Sequence, residues 1–296
     1  MISCTEFIPL YSELFKFLEK AGGYDAVMDY WYYISERGIG NKNNKNSLIS
    51  FLERYKDDPM EGAWKYWEMA LTEEACDLLR VYNQEKGYII SHMRHCPSRG
   101  MLNELKHIEP YEHYCEHCKI IYSRVLDKYG VVFERDHSMV HKAQCTSLLY
   151  EAGNKPTGNY KEPAEGRIVN RMKREGKKYL HRDFHLLGDN ALKYCGDNYG
   201  AQAVVDFVKH FAVAFYAPQI EGFKEKGLVA VKEWLEKGGL GTVENIKAEK
   251  TFLPDEKYLV LYTKSGTVID LYNSSFISAE ETKNKLNDVL TDKNIA

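Results

Sequence analysis

No uninterrupted apolar run in this chain of 296 residues approaches the roughly 18 residues that a membrane-spanning helix needs. The glycines form no G-x-G-x-x-G or P-loop pattern, so no nucleotide cofactor is expected. A G-x-S-x-G elbow, which would present a serine nucleophile, is also missing. Excess charge of one sign is absent too: the formal net charge is −3, with neither a nucleic-acid footprint nor a polybasic membrane patch. The first twenty residues lack a basic leader and carry Glu6, Glu13 and Glu19 among apolar residues. They read as an amphipathic helix and not as a signal peptide. The cysteines number seven, and an odd count without an export signal predicts reduced thiols and a cytoplasmic location. The expected partner is a small molecule, not nucleic acid or membrane.

Tyrosine is what the chain has in plenty, at 22 copies. Such residues pack a core with a polar tip, and they also suit a pocket for a planar ligand. Leu10, Leu14, Phe17 and Leu18 fall at helical spacing before a stop at Gly22-Gly23, and Tyr24 to Glu36 predicts a second helix. Asn46 or Ser47 then caps a helix carrying Leu48, Phe51 and Leu52. "CDLLRVY" and "YIISHMR" flank a turn from Asn83 to Gly87 and predict a hairpin. A long helix is expected from about Pro110 to Tyr129, stopped by Gly130, with strands at "VVFERD" and "CTSLLYE".

Residues 152–166 concentrate Gly, Pro, Asn and charge, as a linker does. Beyond them helices return, and "KYLVLYTKSGTVIDLY" predicts a last hairpin. Ala63, Lys65 and Trp67 precede the first hairpin as Ala230, Lys232 and Trp234 precede the last, which suggests a duplicated unit. The expected fold class is therefore α+β. Two related halves, 1–151 and 167–296, would each hold a helical segment followed by a small antiparallel sheet. Pairing of the halves within one chain or across a homodimer stays open.

Chemistry gathers in one window. Eleven of the seventeen His and Cys lie between His92 and Cys145, where even spreading would place about three. Cys115-x-x-Cys118 with nearby histidines is a spacing that zinc or another divalent metal uses. The candidate ligands are Cys96, Cys115, Cys118, His137 and Cys145. A helical wheel puts Tyr111, Cys115, Cys118 and Tyr122 on one inward stripe, where the cysteines are equally readable as small core residues. The same wheel sends His113 and His117 to another face, beside Glu112 and Glu116, where water would solvate them. Cys96 follows a strand and precedes Pro97 at a helix start, a place that favours a thiolate. Cys96, Cys118 and His137 are the candidate catalytic residues, and Tyr111, Tyr114 and Tyr122 the candidate pocket wall.

Cys96-Pro97, then Tyr114-Cys115 on the next helix, then Cys145 heading a strand, resembles the L-2-amino-thiazoline-4-carboxylic acid hydrolase family over residues 70 to 150. The family shows Cys-x-x-Asp on that helix, and this chain has Cys118 in place of the Asp. The resemblance implies hydrolytic opening of a small cyclic, amidine-like thioether. The second half is similar to a helical segment in uncharacterised proteins of anaerobic bacteria, which implies no chemistry. Two functions follow: a hydrolase of C–N or C–S bonds using a metal or a thiolate, or a non-enzymatic ligand-binding sensor module with a structural metal.

Overall fold

A computed structural model of the chain describes residues 4–70, 76–157, 165–171, 184–227, 229–230, 233, 243–250, 257–263 and 268–270. It is an α+β protein in two compact units, Ile2–Phe211 and Ala212–Ala296 (with Met1).

The first unit opens with α1 (Cys4–Arg37). Leu10, Leu14, Phe15 and Leu18 fall on one face of the helix and are all buried. The helix is broken where Gly23 adopts φ 73°, a left-handed conformation that a side chain would oppose. Val27, Tyr30, Trp31 and Ile34 then bury the second segment. Ser47 caps α2 (Leu48–Arg54) by accepting the backbone N–H of Ser50. Next comes α3 (Pro59–Ala70), packed against α2 through the bare backbone of Gly62.

The expected hairpin forms from β1 (Asp77–Asn83) and β2 (Tyr88–His95), and α4 (Pro97–Glu104) follows. Then come α5 (Glu116–Leu126), β3 (Val131–Asp136), β4 (Cys145–Glu151) and β5 (Arg167–Arg171). The five strands form one antiparallel sheet in the order β3-β4-β2-β1-β5. Its outer face carries Val81, Tyr88, Ile90, Leu148 and Tyr150. Its inner face packs against α2, α3 and α5, with Trp64, Trp67, Leu78, Ile89, Leu126 and Leu149 in one core. Burial of each such side chain contributes about 1.5–3 kcal/mol. The first unit also includes α6 (Phe184–Tyr199) and most of α7 (Ala201–Tyr216).

In the second unit, α8 (Ile220–Lys226) precedes an antiparallel sheet of β6 (Val243–Lys250), β7 (Lys257–Thr263) and β8 (Val268–Asp270). The expected last hairpin is the β7–β8 pair.

Two expectations need correction. The boundary at 152–166 does not divide the units: beyond it β5 pairs with β1, which places the chain to Phe211 in the first unit. The helix expected from Pro110 begins only at Glu116. Before it the chain turns, with Tyr114 and Glu116 N–H groups reaching the carbonyls three residues back. The Tyr111 N–H is taken by Ser12 Oγ of α1 at 2.8 Å, which anchors this turn. Of the expected repeat, Lys232 and Trp234 lie outside the described residues.

Candidate functional site

The pairing register builds a site floor from the sheet. Arg80 on β1 sits opposite Ser91 on β2, Ser91 opposite Ser147 on β4, and Ser147 opposite Arg135 on β3. Cross-strand partners share a face, so Arg-Ser-Ser-Arg runs across four strands on the inner side. The flanking rows are Tyr82, Ile89, Leu149 and Phe133 on one side, and Leu78, Met93 and Cys145 on the other. A cavity of about 260 Å³ lies over this floor within the first unit. Trp67 of α3, Tyr122 of α5 and Phe133 form an aromatic wall, with ring centroids 5.0 to 5.9 Å apart. The Arg80 guanidinium lies 4.9 Å from the Trp67 ring centre, and its Nε donates to Ser91 Oγ at 2.6 Å.

Three thiols open onto the cavity: Cys96, Cys118 and Cys145. Cys96 is the N-cap of α4, its sulfur accepting the Arg99 N–H at 3.5 Å and its own N–H donating to the Ala143 carbonyl. Burial nevertheless pushes its thiol well up, so the helix-terminus position does not make it a thiolate. Cys118 behaves in the opposite way. Burial alone would raise its pKa, but the positive charges of His117 and Arg135, with hydrogen bonds from both, lower it to about 6. Cys118 Sγ is 3.4 Å from His117 Nε2. The other ring nitrogen, Nδ1, is hydrogen-bonded to the Tyr114 carbonyl oxygen. A carbonyl only accepts, so Nδ1 carries a proton and Nε2 is the nitrogen that trades one with the thiol. Burial works against charge on His117, yet the adjacent Cys118 outweighs it and raises the imidazole pKa.

Arg135 is held up in the same manner: burial opposes its charge, and Cys118 and Cys145 more than restore it. Its Nη2 donates to Cys145 Sγ at 3.1 Å. Among the described residues, the cavity wall has Arg37, Arg80, Arg135 and His117 but no Asp or Glu.

Of the residues expected from sequence, Cys96, Cys118, Cys145, Tyr114 and Tyr122 line the cavity. Tyr111, Cys115 and His137 are not in its wall. Tyr111 is buried against Phe15 and donates to Glu19. Cys115 precedes α5, its thiol pushed up to about 12 by burial and then by Cys118. His137 follows β3 in a turn, its imidazole lowered by burial and then by Arg135. His117 corrects its own expectation: the ring is half-buried and packs 4.9 Å from Tyr114 and 5.9 Å from Phe15. His113 keeps to the surface, paired with Glu116 at 2.7 Å.

The expected metal set does not fit this arrangement. Cys115 and His137 are not in the cavity wall, and the Arg135 guanidinium donates to Cys145 and carries its positive charge beside Cys118, where a metal's charge would be repelled. No group of three or more His, Cys, Asp or Glu among the described residues is placed to hold a metal ion. Among the same residues no helix is long and apolar enough to cross a membrane. Comparison with protein-family models, curated proteins and solved structures found no match for this chain.

Proposed function

We propose that this chain is a hydrolase of a small cyclic or amidine-like molecule, cleaving a C–N or C–S bond with the Cys118 thiolate as nucleophile. The observation that carries the reading is the Cys118–His117 pair with Nδ1 tied to a backbone carbonyl: nucleophile, base and orienting group in sequence. The thiolate adds to the electrophilic carbon, and the His117 imidazolium returns its Nε2 proton to the departing nitrogen or sulfur. Neutral His117 then takes a proton from water, whose oxygen displaces Cys118 and restores the thiolate. Arg135 stabilises the negative charge that builds at the reacting centre. A cavity of this volume admits only a small ligand, which agrees with the substrate class that the family resemblance implies.

The test is incubation with 2-amino-thiazoline-4-carboxylate and related cyclic amidines, followed by mass spectrometry for a product one water heavier. Cys118→Ala abolishes that product while Cys115→Ala retains it. Equal turnover by the two variants overturns the role of Cys118. The second reading, a binding module, is favoured by the aromatic wall: tight binding of the same compounds without product by the native protein identifies it.

A further inference from the structure

Cys115 and Cys118 stand one helical turn apart at the start of α5, and the hydrolytic reading uses only the second. Cys115 is the N-cap, at φ −74° and ψ −15°, so helical backbone runs through both residues. Residues three apart on such a backbone have Cα atoms about 5 Å apart, inside the roughly 4.4–6.8 Å that a disulfide spans. Their Cβ atoms start about 5–6 Å apart and must draw in by about 1–2 Å. The first turn has that freedom, because its N–H groups are not tied into the helix ladder. Both residues are half-buried, and Cys118 opens onto the cavity. Cys96 and Cys145 sit on other elements with their sulfurs engaged: the first caps α4, and the second accepts from Arg135. The Cys115 sulfur makes no capping bond.

We infer that Cys115 and Cys118 are a redox couple, with a hydroperoxide as oxidant and a dithiol as reductant. The Cys118 thiolate attacks the terminal oxygen of the hydroperoxide: an S–O bond forms, the O–O bond breaks, and sulfur gives up two electrons. His117 Nε2, 3.4 Å from that sulfur, gives its proton to the departing alkoxide or hydroxide. The sulfenic acid then meets the Cys115 thiol. An S–S bond forms, and the hydroxyl leaves with the Cys115 proton as water. Exchange with the dithiol reopens the bond, its two protons going to Cys115 and His117 while it leaves as its own disulfide. While the bond is closed Cys118 is no nucleophile, so hydrolysis stops until a dithiol restores it. The inference rests on Cys118 as the thiolate of the proposed hydrolase and adds Cys115 as its resolving partner.

The test exposes the full chain to hydrogen peroxide at pH 7 and maps its unreduced tryptic peptides by mass spectrometry. The peptide from His107 to Lys119 carries both cysteines and becomes lighter by two hydrogens, a change that dithiothreitol reverses. In Cys115→Ser that disulfide is absent, and dimedone labelling of the Cys118 sulfenic acid rises about tenfold. Serine is a preferred N-cap, so this variant keeps the start of α5. Cys118→Ser leaves Cys115 unoxidised under the same exposure. A native Cys118 that links to Cys96 or Cys145 overturns the role of Cys115, as does equal sulfenic labelling with and without Cys115. A peptide unchanged by peroxide overturns the couple even where hydrolysis is observed. Disulfide closure in a chain that hydrolyses none of the cyclic amidines upholds the couple and sinks the hydrolytic reading alone.

Discussion

His117 Nε2 stands 3.4 Å from Cys118 Sγ, although the two residues are neighbours on one helix. Side chains adjacent in an α-helix diverge by about 100°, so such a contact needs the ring to turn toward its neighbour. The Tyr114 carbonyl, at the turn before α5, holds the ring in that attitude through Nδ1. The late start of the helix is therefore part of the site.

Reactivity of Cys118 follows from this pair. Its alkylation by iodoacetamide rises with pH through about 6 and levels off near neutrality, whereas an ordinary thiol keeps gaining to about 8.5. Limited labelling at pH 7 marks Cys118 before Cys96, Cys115 and Cys195, whose thiols burial pushes up. The same shift contributes to stability with a definite sign. Folding lowers the thiol's pKa, so the contribution is complete above the unfolded value and disappears as pH falls through about 6. Peptide-resolved alkylation across pH 5 to 9 checks the titration, and urea unfolding over the same range checks the loss of stability. An inflection above 8 at Cys118 rules the pairing out.

Arg135 supplies the second positive charge. Replacement by Met keeps the stem and removes the guanidinium, which leaves a half-buried thiolate with His117 alone. The Cys118 titration, followed by thiolate absorbance near 240 nm, moves up toward the ordinary thiol range, and alkylation at pH 7 slows about tenfold or more. Arg135→Lys restores part of the shift, because charge returns without the fork that also reaches Cys145. A titration unchanged by Arg135→Met assigns the whole effect to His117.

Much of this was legible in the residues, and the remainder fails for identifiable reasons. The break at Gly22-Gly23, the cap at Ser47 and the hairpin turn from Asn83 to Gly87 are local events, set by residues that contact each other in sequence. Cys118 on the inward side of its helix follows from periodicity. His117 is expected in water because the wheel sets it beside Glu116, off the inward stripe; a wheel gives the direction of Cβ and not the ring's turn toward Cys118, which the Tyr114 carbonyl fixes. Arg135 shares a face with Val131 and Phe133, as Arg80 does with Leu78 and Tyr82, so strand alternation did carry a signal for two inward arginines. Their alignment through Ser91 and Ser147 depends on register across three strand pairs, which no local pattern specifies. The linker expectation failed because composition does not reveal that the chain beyond it, from Arg167, pairs with β1 in the same sheet.

Zinc distinguishes the guanidinium site from a metal site. Anaerobic addition of one equivalent of zinc leaves the Cys118 alkylation rate at pH 7 unchanged, and a chelator likewise does not alter it, since Arg135 already occupies the contacts of two sulfurs. Protection of Cys96, Cys118 and Cys145 together on adding zinc restores the metal-centre reading and displaces the thiolate one.

Gly166 tests whether β5 is an integral strand of the first unit. The residue has φ 126° where the chain reaches β1, and a Cβ there would collide with the carbonyl oxygen of Tyr82 and come within 2.8 Å of its carbon. The next residue, Arg167, pairs with Glu61 and lies 5.2 Å from the Trp64 ring and 4.8 Å from the Tyr82 ring. Gly166→Ala therefore acts twice, through backbone strain and through a displaced edge strand. A loss of about 2–4 kcal/mol is expected in urea unfolding. Hydrogen exchange in β1 speeds up at the residues paired with β5, Leu78 to Tyr82, more than in β3 or β4. The Cys118 pKa stays near its native value, because His117 and Arg135 lie on α5 and β3, away from that edge. An unchanged unfolding midpoint with unchanged exchange in β1 shows that β5 is not an integral strand of this sheet.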